Sequence, residues 1–357
     1  MPPLYSDLSA SAQTAYAQLL DAALATEHMR SVADLPGSFA AKTVKARKYW
    51  YYQYFEPSGK LRQVYVGPDG DPVHRLMQQK SQPAASAALG PLARSAIALG
   101  CVPVIPRQYR VVRRLAEYGF FRAGGVLIGT HAFLAYGNML GVRWGAQDRT
   151  QDIDFAHAGK SVALALPSDI EVKTEDAIAS LQMGFLPVSG LSGKAGGTYL
   201  IPSEPEFRLD FLTTLHRKGD EAYVHPKLHV TMQPLRFMEF SLEGVEQAVL
   251  FCSEGAVVVN VPDPARYALH KLLVFGERKG AFRAKSVKDL AQAAALLEYL
   301  NEHRTSHLEE VRDDLLSRGK GWVARFEQGL GALEKQYPQL AALALLKTSS
   351  AGPQWRA

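Results

Sequence analysis

The feature that most constrains the fold is a pair of short segments in which aspartates alternate with large apolar residues. The first is Asp152-Ile153-Asp154-Phe155 and the second is Leu209-Asp210-Phe211. Because side chains alternate between the two faces of a strand, the apolar residues face a core while Asp152 and Asp154 share the opposite face. The two segments therefore predict strands of a sheet that has one buried face and one acidic face.

A third segment has the pattern of a strand that ends in a glycine and continues as a helix. Its sequence, VLIGTHAFLAYGNML, places Gly129-Thr130 at the junction and then has apolar residues at helical spacing. Backbone N–H groups at a helix N-terminus bind phosphate oxygens, and a glycine permits close approach. The Thr130 hydroxyl adds a donor. The same residues also fit a simple turn glycine and a helix-capping threonine.

The remaining pattern predicts a mixed α/β chain that becomes wholly helical after Pro264. Further strand-like runs occur at residues 198–201 and 256–261, with helical stretches between some of them. The sequence Pro103-Val104-Ile105-Pro106 indicates a linker. We predict three domains, which are an N-terminal basic module over residues 1–105, an α/β core over 106–262 and a C-terminal helical domain over 263–357.

The N-terminal module contains a predicted β-hairpin in which basic residues lead directly into aromatic ones. Two β-rich runs, residues 49–55 and 61–66, flank the turn sequence Pro57-Ser58-Gly59. The candidate nucleic-acid contacts are Lys45, Arg47, Lys48, Tyr49 and Trp50. Basic groups suit phosphates and aromatic rings stack on bases. The alternative is a hairpin whose aromatic residues pack on the preceding helix while its lysines are solvated.

The distribution of charge favours a polyanionic partner. The formal charge is +5, and residues 1–120 carry 14 lysines and arginines against 8 acidic residues. A nucleic acid or a nucleotide is therefore the expected partner. No apolar run approaches the ~20 residues of a membrane span and no secretory signal begins the sequence, so we expect a cytoplasmic protein without membrane contacts. Cys101 and Cys252 lack metal-ligand spacing, so neither zinc nor a disulfide is expected.

The three aspartates predict a divalent cation if their strands are neighbours. At ~4 Å and an effective dielectric constant near 20, each like-charged contact costs about 4 kcal/mol. Bound cations relieve this repulsion. Ligand sets made only of oxygen favour Mg²⁺ or Mn²⁺, and paired ions of this kind activate the attacking and leaving oxygens in phosphoryl transfer.

Taken in order, these motifs resemble the nucleotidyltransferase superfamily with the polymerase-β-like palm fold. The family pattern is an apolar residue, Gly, and Gly or Ser, then a helix, an Asp-apolar-Asp/Glu-apolar strand and a later strand with one acid. Here Thr130 replaces the usual Ser or Gly, and the 23 residues from Gly129 to Asp152 exceed the minimal family spacing. That spacing, with the helical segments around Lys271 and Asp289, resembles the branch that contains abortive-infection toxin nucleotidyltransferases. The resemblance covers about residues 108 to 300.

The resemblance implies an α/β (α+β) palm with a mixed sheet, flanked by an N-terminal helix and hairpin module and a C-terminal helical domain. It also implies metal-dependent transfer of a nucleoside monophosphate from an NTP to an acceptor hydroxyl, with release of pyrophosphate. Asp152 and Asp154 would hold Mg²⁺ or Mn²⁺, and Asp210 would complete the metal site and help to activate the acceptor. Gly129 and Thr130 would bind the nucleotide.

The helices after the palm supply the remaining candidates. The resemblance implies that Lys271 and Arg278 bind the nucleotide. It also implies that Asp289 orients a neighbouring basic side chain such as Arg278. The alternative for Lys271 is a lysine that extends its ammonium group to the rim of the core. His131 follows the glycine turn and could approach a nucleotide, although a histidine at a helix start is more often structural.

The N-terminal charge and the toxin-like relatives favour an RNA acceptor, tRNA among them. Two other functions stay open at this point. One is a nucleotidyltransferase that acts on a small molecule or a protein, with a narrow acceptor cleft and little salt dependence. The other is an inactive palm that serves as a nucleic-acid-binding module. The sequence does not determine the oligomeric state.

Overall fold

The computed structural model describes residues 3–28, 37–55, 60–81, 85–145, 150–158, 172–189, 195–215, 221–277 and 283–347. These residues form a mixed α/β protein, as the sequence predicts. Within those ranges, none of the helices has the length and apolar content of a membrane span.

The secondary structure elements are numbered in chain order. The strands are β1 (Tyr5–Asp7), β2 (Ser38–Val44), β3 (Arg47–Phe55), β4 (Leu61–Pro68), β5 (Gly125–Ile128), β6 (Val142–Trp144), β7 (Ile153–His157), β8 (Leu186–Ser189), β9 (Ala195–Ile201), β10 (Glu204–Thr214), β11 (Tyr223–Val224), β12 (Thr231–Leu235), β13 (Val245–Cys252) and β14 (Gly255–Pro262). The helices are α1 (Ala10–His28), α2 (Asp71–Ser81), α3 (Leu89–Ala98), α4 (Pro106–Glu117), α5 (Gly129–Met139), α6 (Thr174–Ser180), α7 (Met238–Leu242), α8 (Pro264–Glu277), α9 (Arg283–His303), α10 (Thr305–Ser317), α11 (Lys320–Gln336) and α12 (Ala342–Lys347). A short 3₁₀ helix, Ala85–Ala88, precedes α3.

The central sheet is mixed, and β10 is its most connected strand. One edge of β10 pairs in parallel with β7, which pairs antiparallel with β5. The other edge pairs antiparallel with β9 and, further along, in parallel with β12. Because β7 and β10 run in the same direction, equivalent positions of their alternating patterns lie side by side.

One face of this sheet carries the core. Ile153, Phe155, Leu209 and Phe211 are completely buried, and the rings of Phe155 and Phe211 stack with centroids 5.3 Å apart. Helix α4 contributes the buried side chains of its apolar face, Val111, Val112 and Leu115. Burying a side chain of this size contributes about 1.5–3 kcal/mol relative to leaving it exposed. The apolar members of both aspartate segments therefore fix the orientation of the acids.

Helices α1 and α3 pack against the β13–β14 hairpin. Their shared core includes Leu19, Ala93 and Phe251. Strand β14 agrees with the predicted run at residues 256–261, and Cys252 lies at the end of β13. The chain is helical from α8 onward, as predicted from the pattern after Pro264. The domain boundaries at residues 105 and 262 stay predictions.

The N-terminal module differs from the predicted two-stranded hairpin, because β2 adds a third strand. β3 pairs antiparallel with β2 on one side and with β4 on the other. The connection between β2 and β3 places Lys45 and Ala46 at φ +49° and +60°, in the left-handed region. A left-handed hairpin turn is usually predicted from Asn-Gly or Gly-rich sequences, and neither Lys45 nor Ala46 fits them. The sequence therefore did not predict β2. Helix α2 contacts the sheet through Lys80, which donates to the Tyr52 hydroxyl at 3.0 Å.

Candidate active site

The parallel pairing of β7 and β10 brings the predicted acids onto one patch of the sheet. Asp210 lies directly opposite Asp154 in the strand register. Asp152 precedes Asp154 by two residues, so the strand alternation places it on the same face. The side chains of Asp152 and Asp210 are 23% and 17% exposed, so solvent or a ligand can reach the patch.

Arg208 neutralises two of these acids, and the sequence analysis did not identify it. Its Nη2 donates to Asp152 Oδ2 at 3.0 Å, and its Nε lies 3.4 Å from Asp210 Oδ2. Burial disfavours the guanidinium charge, but the carboxylates of Asp152 and Asp210 outweigh that effect and raise the pKa of Arg208. The signal was present in the sequence, since Arg208 precedes Asp210 by two residues on a strand and therefore shares its face.

Asp210 has a second neighbour on the next strand. Thr198 of β9 lies opposite Asp210 in the register, and its hydroxyl donates to Asp210 Oδ1 at 2.6 Å. This bond fixes one carboxylate oxygen of Asp210, while the other faces Arg208. The Asp210 carboxylate is therefore oriented from two sides.

Gly129 lies directly against the Asp154 side chain. It begins α5 with φ +63°, a left-handed conformation that favours glycine. A β-carbon at this position would overlap the Asp154 carboxylate. The glycine is therefore required twice, once by the backbone and once by the close approach of Asp154 to the start of α5.

Side chains of helices α8 and α9 form hydrogen bonds with Gly129 and Thr130 of this turn. The Tyr267 hydroxyl lies 2.8 Å from the Gly129 carbonyl oxygen and 2.9 Å from Gln292 Oε1. Gln292 Nε2 in turn donates to the Thr130 hydroxyl at 3.3 Å, and Thr130 is only 8% exposed. The Thr130 hydroxyl thus has a protein partner in this structure. Neither Tyr267 nor Gln292 was a sequence candidate, because each acts through contacts between segments far apart in the chain.

Lys271 forms a buried ion pair with Asp289. Its Nζ donates to Asp289 Oδ1 at 2.6 Å, and the two side chains are 14% and 5% exposed. Burial acts against the ammonium charge, but Asp289, Tyr267 and Asp154 outweigh it and raise the pKa of Lys271. The predicted link from Asp289 to Arg278 involves a residue outside the described part of the chain, whereas the described partner of Asp289 is Lys271.

The Asp289→Asn variant should be less stable than the wild type by about 3 kcal/mol. It leaves the buried Lys271 charge without the carboxylate that pairs with it, and removal of one partner of a buried pair typically costs about 3–5 kcal/mol. Urea unfolding at pH 7 measures the difference. The double variant Lys271→Met/Asp289→Leu removes both charges and should recover most of the loss. Equal stability of Asp289→Asn and the wild type would contradict a buried pair.

His131 lies at the start of α5 but is completely buried. Among the described residues, neither ring nitrogen has a partner at full hydrogen-bond geometry. Burial, followed by the positive charge of Lys288, lowers the pKa of His131 to about 4, although the Asp152 backbone carbonyl opposes the shift. His131 is therefore neutral at pH 7 and has no exposed surface through which to contact a nucleotide in this structure.

Protonation of buried histidines should destabilise the protein below pH 6.5. His225 resembles His131, since burial and the neighbouring His157 lower its pKa to about 4. In the unfolded chain these two imidazoles bind protons below pH 6.5, whereas in the folded chain they stay neutral down to about pH 4. The free energy of unfolding therefore falls as the pH falls through this window. Each of these two histidines should account for about 1–2 kcal/mol between pH 7 and pH 5. Urea unfolding at both pH values tests this, and equal stabilities would contradict neutral buried imidazoles.

The basic and aromatic residues of the N-terminal candidate site lie on two faces of one sheet. Lys45 lies in the β2–β3 turn, and the β3 register separates Arg47 and Tyr49 from Lys48 and Trp50. Lys48 Nζ lies 4.5 Å from the Trp50 ring centroid. Trp50 Nε1 donates to an aspartate, Asp69, at 2.6 Å. The five predicted contacts therefore do not form one surface.

The donor chemistry of the acidic patch suits a hard divalent cation, although its present arrangement is not a complete metal site. Asp152, Asp154 and Asp210 offer only carboxylate oxygens, the ligands that Mg²⁺ and Mn²⁺ prefer. Over the described ranges, no three His, Cys, Asp or Glu side chains are grouped to hold a metal ion. Arg208 supplies the positive charge next to Asp152 and Asp210.

Comparisons with known proteins give a family match and a similar solved structure. A family model described as nucleotidyltransferase matches residues 107–317, which include the glycine turn, the three aspartates and Lys271. A crystal structure of an antigenic nucleotidyltransferase-like protein from Paracoccidioides brasiliensis is similar over 70% of this chain and 98% of its own, with 14% identity and a TM-score of 0.35. The comparison with curated proteins found no match.

Proposed function

Because this chain belongs to the nucleotidyltransferase family, we propose that it transfers a nucleoside monophosphate from an NTP to an acceptor hydroxyl. The observation that carries the proposal is the pairing of Asp154 with Asp210 directly above Gly129 at the start of α5. This arrangement places carboxylates next to the backbone N–H groups of a helix N-terminus. Carboxylates hold cations, and helix N-termini bind phosphate oxygens.

In the proposed reaction, the acceptor oxygen forms a bond to the α-phosphorus of the NTP. The bond from that phosphorus to the bridging oxygen breaks, and pyrophosphate leaves. The acceptor hydroxyl gives its proton to the Asp210 carboxylate, which the Thr198 hydroxyl orients. The N–H groups at the start of α5 bind phosphate oxygens, and the Lys271 ammonium group adds positive charge near Asp154.

We propose that Asp152, Asp154 and Asp210 hold Mg²⁺ or Mn²⁺ during this reaction. The ion supplies positive charge that neutralises the phosphate oxygens and favours departure of pyrophosphate. The proposal requires Arg208 to release Asp152 and Asp210, since the guanidinium occupies the acidic patch in this structure. A guanidinium released in this way is suited to phosphate oxygens.

RNA is the acceptor that we propose, and tRNA is one candidate among RNAs. The excess of basic residues in the first 120 positions supports a polyanionic acceptor. A small molecule or a protein is the alternative acceptor class. The test is to incubate the purified protein with Mg²⁺, each NTP labelled at the α-phosphate, and either total RNA, total protein or a small-molecule extract. We expect the label in RNA. Label in protein or in small molecules alone would contradict the RNA proposal while leaving nucleotidyl transfer in place.

The second candidate function is an inactive palm that binds nucleic acid. The observation that favours it is the contact of Arg208 with two of the three acids, which provides a permanent counter-charge in place of an ion. Direct measurement of Mn²⁺ binding separates the two functions. The enzyme is supported if Mn²⁺ binding is saturable and is lost in the Asp154→Asn variant. The inactive palm is supported if Mn²⁺ does not bind, either with or without NTP.

A further inference from the structure

The β2–β4 sheet has one face that is rich in tyrosine and basic residues. In the register of β3 with its two neighbours, Tyr51 lies beside Tyr65 on β4 and Tyr49 lies beside Lys42 on β2. Arg47 precedes Tyr49 by two residues and shares this face. We call it the tyrosine face and define it by Lys42, Arg47, Tyr49, Tyr51 and Tyr65.

The rings of the tyrosine face contact one another, and Tyr65 is the most exposed of the three. The Tyr51 and Tyr65 centroids are 5.6 Å apart, and those of Tyr49 and Tyr65 are 6.3 Å apart. Tyr65 is 53% exposed although it is a large aromatic residue. Helix α2 lies on the opposite face, where it contacts Tyr52 through Lys80. Helix α2 therefore packs on the face opposite the tyrosine face.

The two charged residues of the tyrosine face, Lys42 and Arg47, are both positive. Lys42 Nζ lies over the face of the Tyr51 ring, 4.6 Å from its centroid, which places a cation on the aromatic surface itself. Arg47 is exposed at the end of the face nearest the β2–β3 turn. Residues 38–68 contain six lysines and arginines against the single acid Glu56. This combination suits a ligand that has negative charge along one side and flat rings along the other.

We propose that the tyrosine face binds single-stranded RNA. Unpaired bases stack on aromatic rings, and lysine and arginine side chains bind the phosphates between them. A duplex keeps its bases stacked on one another, so it offers the rings no free surface. Binding of the strand does not depend on the proposed function. The further step, that the bound strand is the acceptor RNA, rests on the proposed function.

Neighbouring residues on opposite faces provide matched controls for the rings. Tyr65 is 53% exposed on the tyrosine face, and Val64 is 50% exposed on the other face. The test measures the anisotropy of a fluorescently labelled single-stranded 12-nucleotide RNA. We expect Tyr65→Ser to weaken binding by about 5- to 150-fold, the range for loss of one stacked base. Val64→Ser should stay within about twofold of the wild type.

The charges are tested in the same way through the salt dependence. Arg47 lies on the tyrosine face and Lys48 on the opposite face. The slope of log affinity against log salt should become shallower by about 0.7 for Arg47→Gln, the value for one phosphate contact on a single strand. The slope for Lys48→Gln should equal that of the wild type. Equal effects of Tyr65→Ser and Val64→Ser, or tighter binding of a duplex than of the single strand, would overturn the proposal.

The outcome of this test is separate from the outcome for catalysis. The Asp154→Asn variant, without NTP, should bind the RNA as tightly as the wild type does. Loss of nucleotidyl transfer in every assay together with Tyr65-dependent binding would refute the proposed function alone. Transfer to RNA together with binding that ignores Tyr65 would refute the tyrosine face alone. Near-ultraviolet circular dichroism and thermal unfolding show whether each variant keeps the wild-type fold.

Discussion

The Asp154→Asn variant should lose nucleotidyl transfer by about 1000-fold while it keeps its fold. Asparagine has the shape of aspartate, but its neutral amide lacks the charge that holds a cation next to Asp210. Removal of one group that stabilises transition-state charge typically lowers kcat by about 100- to 1000-fold. Asp154 should lie at the upper end, because it is central in the register between β5 and β10. Initial rates of label transfer from an α-labelled NTP measure the effect.

Glu206 supplies a matched control for the loss of one negative charge. It lies on β10, four residues before Asp210, and is exposed. The strand alternation places it on the face of Asp210. Glu206→Gln should keep transfer within about twofold of the wild type, as expected for an exposed carboxylate outside the site. If Asp154→Asn and Glu206→Gln reduce transfer equally, the acidic patch is not where the reaction occurs.

The Gly129→Ala variant should have the second largest effect, on stability and on activity together. Alanine is disfavoured at φ +63° by about 1–2 kcal/mol, and its β-carbon would overlap the Asp154 carboxylate. The carboxylate has to move away from Asp210 or the start of α5 has to shift. A displacement of about 1 Å can cost about 100-fold in rate, so we expect a loss of that order. Rates of label transfer and urea unfolding measure the two effects.

Gly331 is the control for the glycine substitution. It lies inside α11, and a β-carbon added there would meet nothing within 4 Å. Alanine at such a helical position should leave activity unchanged and stabilise the protein by up to about 1 kcal/mol. A Gly129→Ala variant that behaves like Gly331→Ala would show that Asp154 does not depend on close approach to the glycine turn.

The sequence was sufficient to predict the parts of the site that follow from local pattern. Alternation of acids with Ile153, Phe155, Leu209 and Phe211 predicted two strands with one buried face, and both are present. The apolar run before Gly129 predicted a strand, a turn and a helix, which are β5 and α5. These predictions depend on periodicity within a few residues, and the burial of large side chains enforces them.

The remaining parts of the site depend on which segments meet in space. Tyr267 and Gln292 support the glycine turn from helices that begin more than 130 residues later, and nothing in their local sequence marks them. The pairing of Lys271 with Asp289 also spans two helices. Arg208 is different, because its strand position could have identified it. Arg208 shares the face of the acids that it contacts.

The measurement that tests the central claim most directly compares one NTP labelled at two different phosphates. With RNA and Mg²⁺ present, label at the α-phosphate should enter the acceptor, and label at the γ-phosphate should leave in pyrophosphate at the same rate. Both signals should disappear in the Asp154→Asn variant. Entry of γ-label into the acceptor would identify phosphate transfer instead, and equal signals from wild type and variant would contradict a site built on Asp152, Asp154 and Asp210.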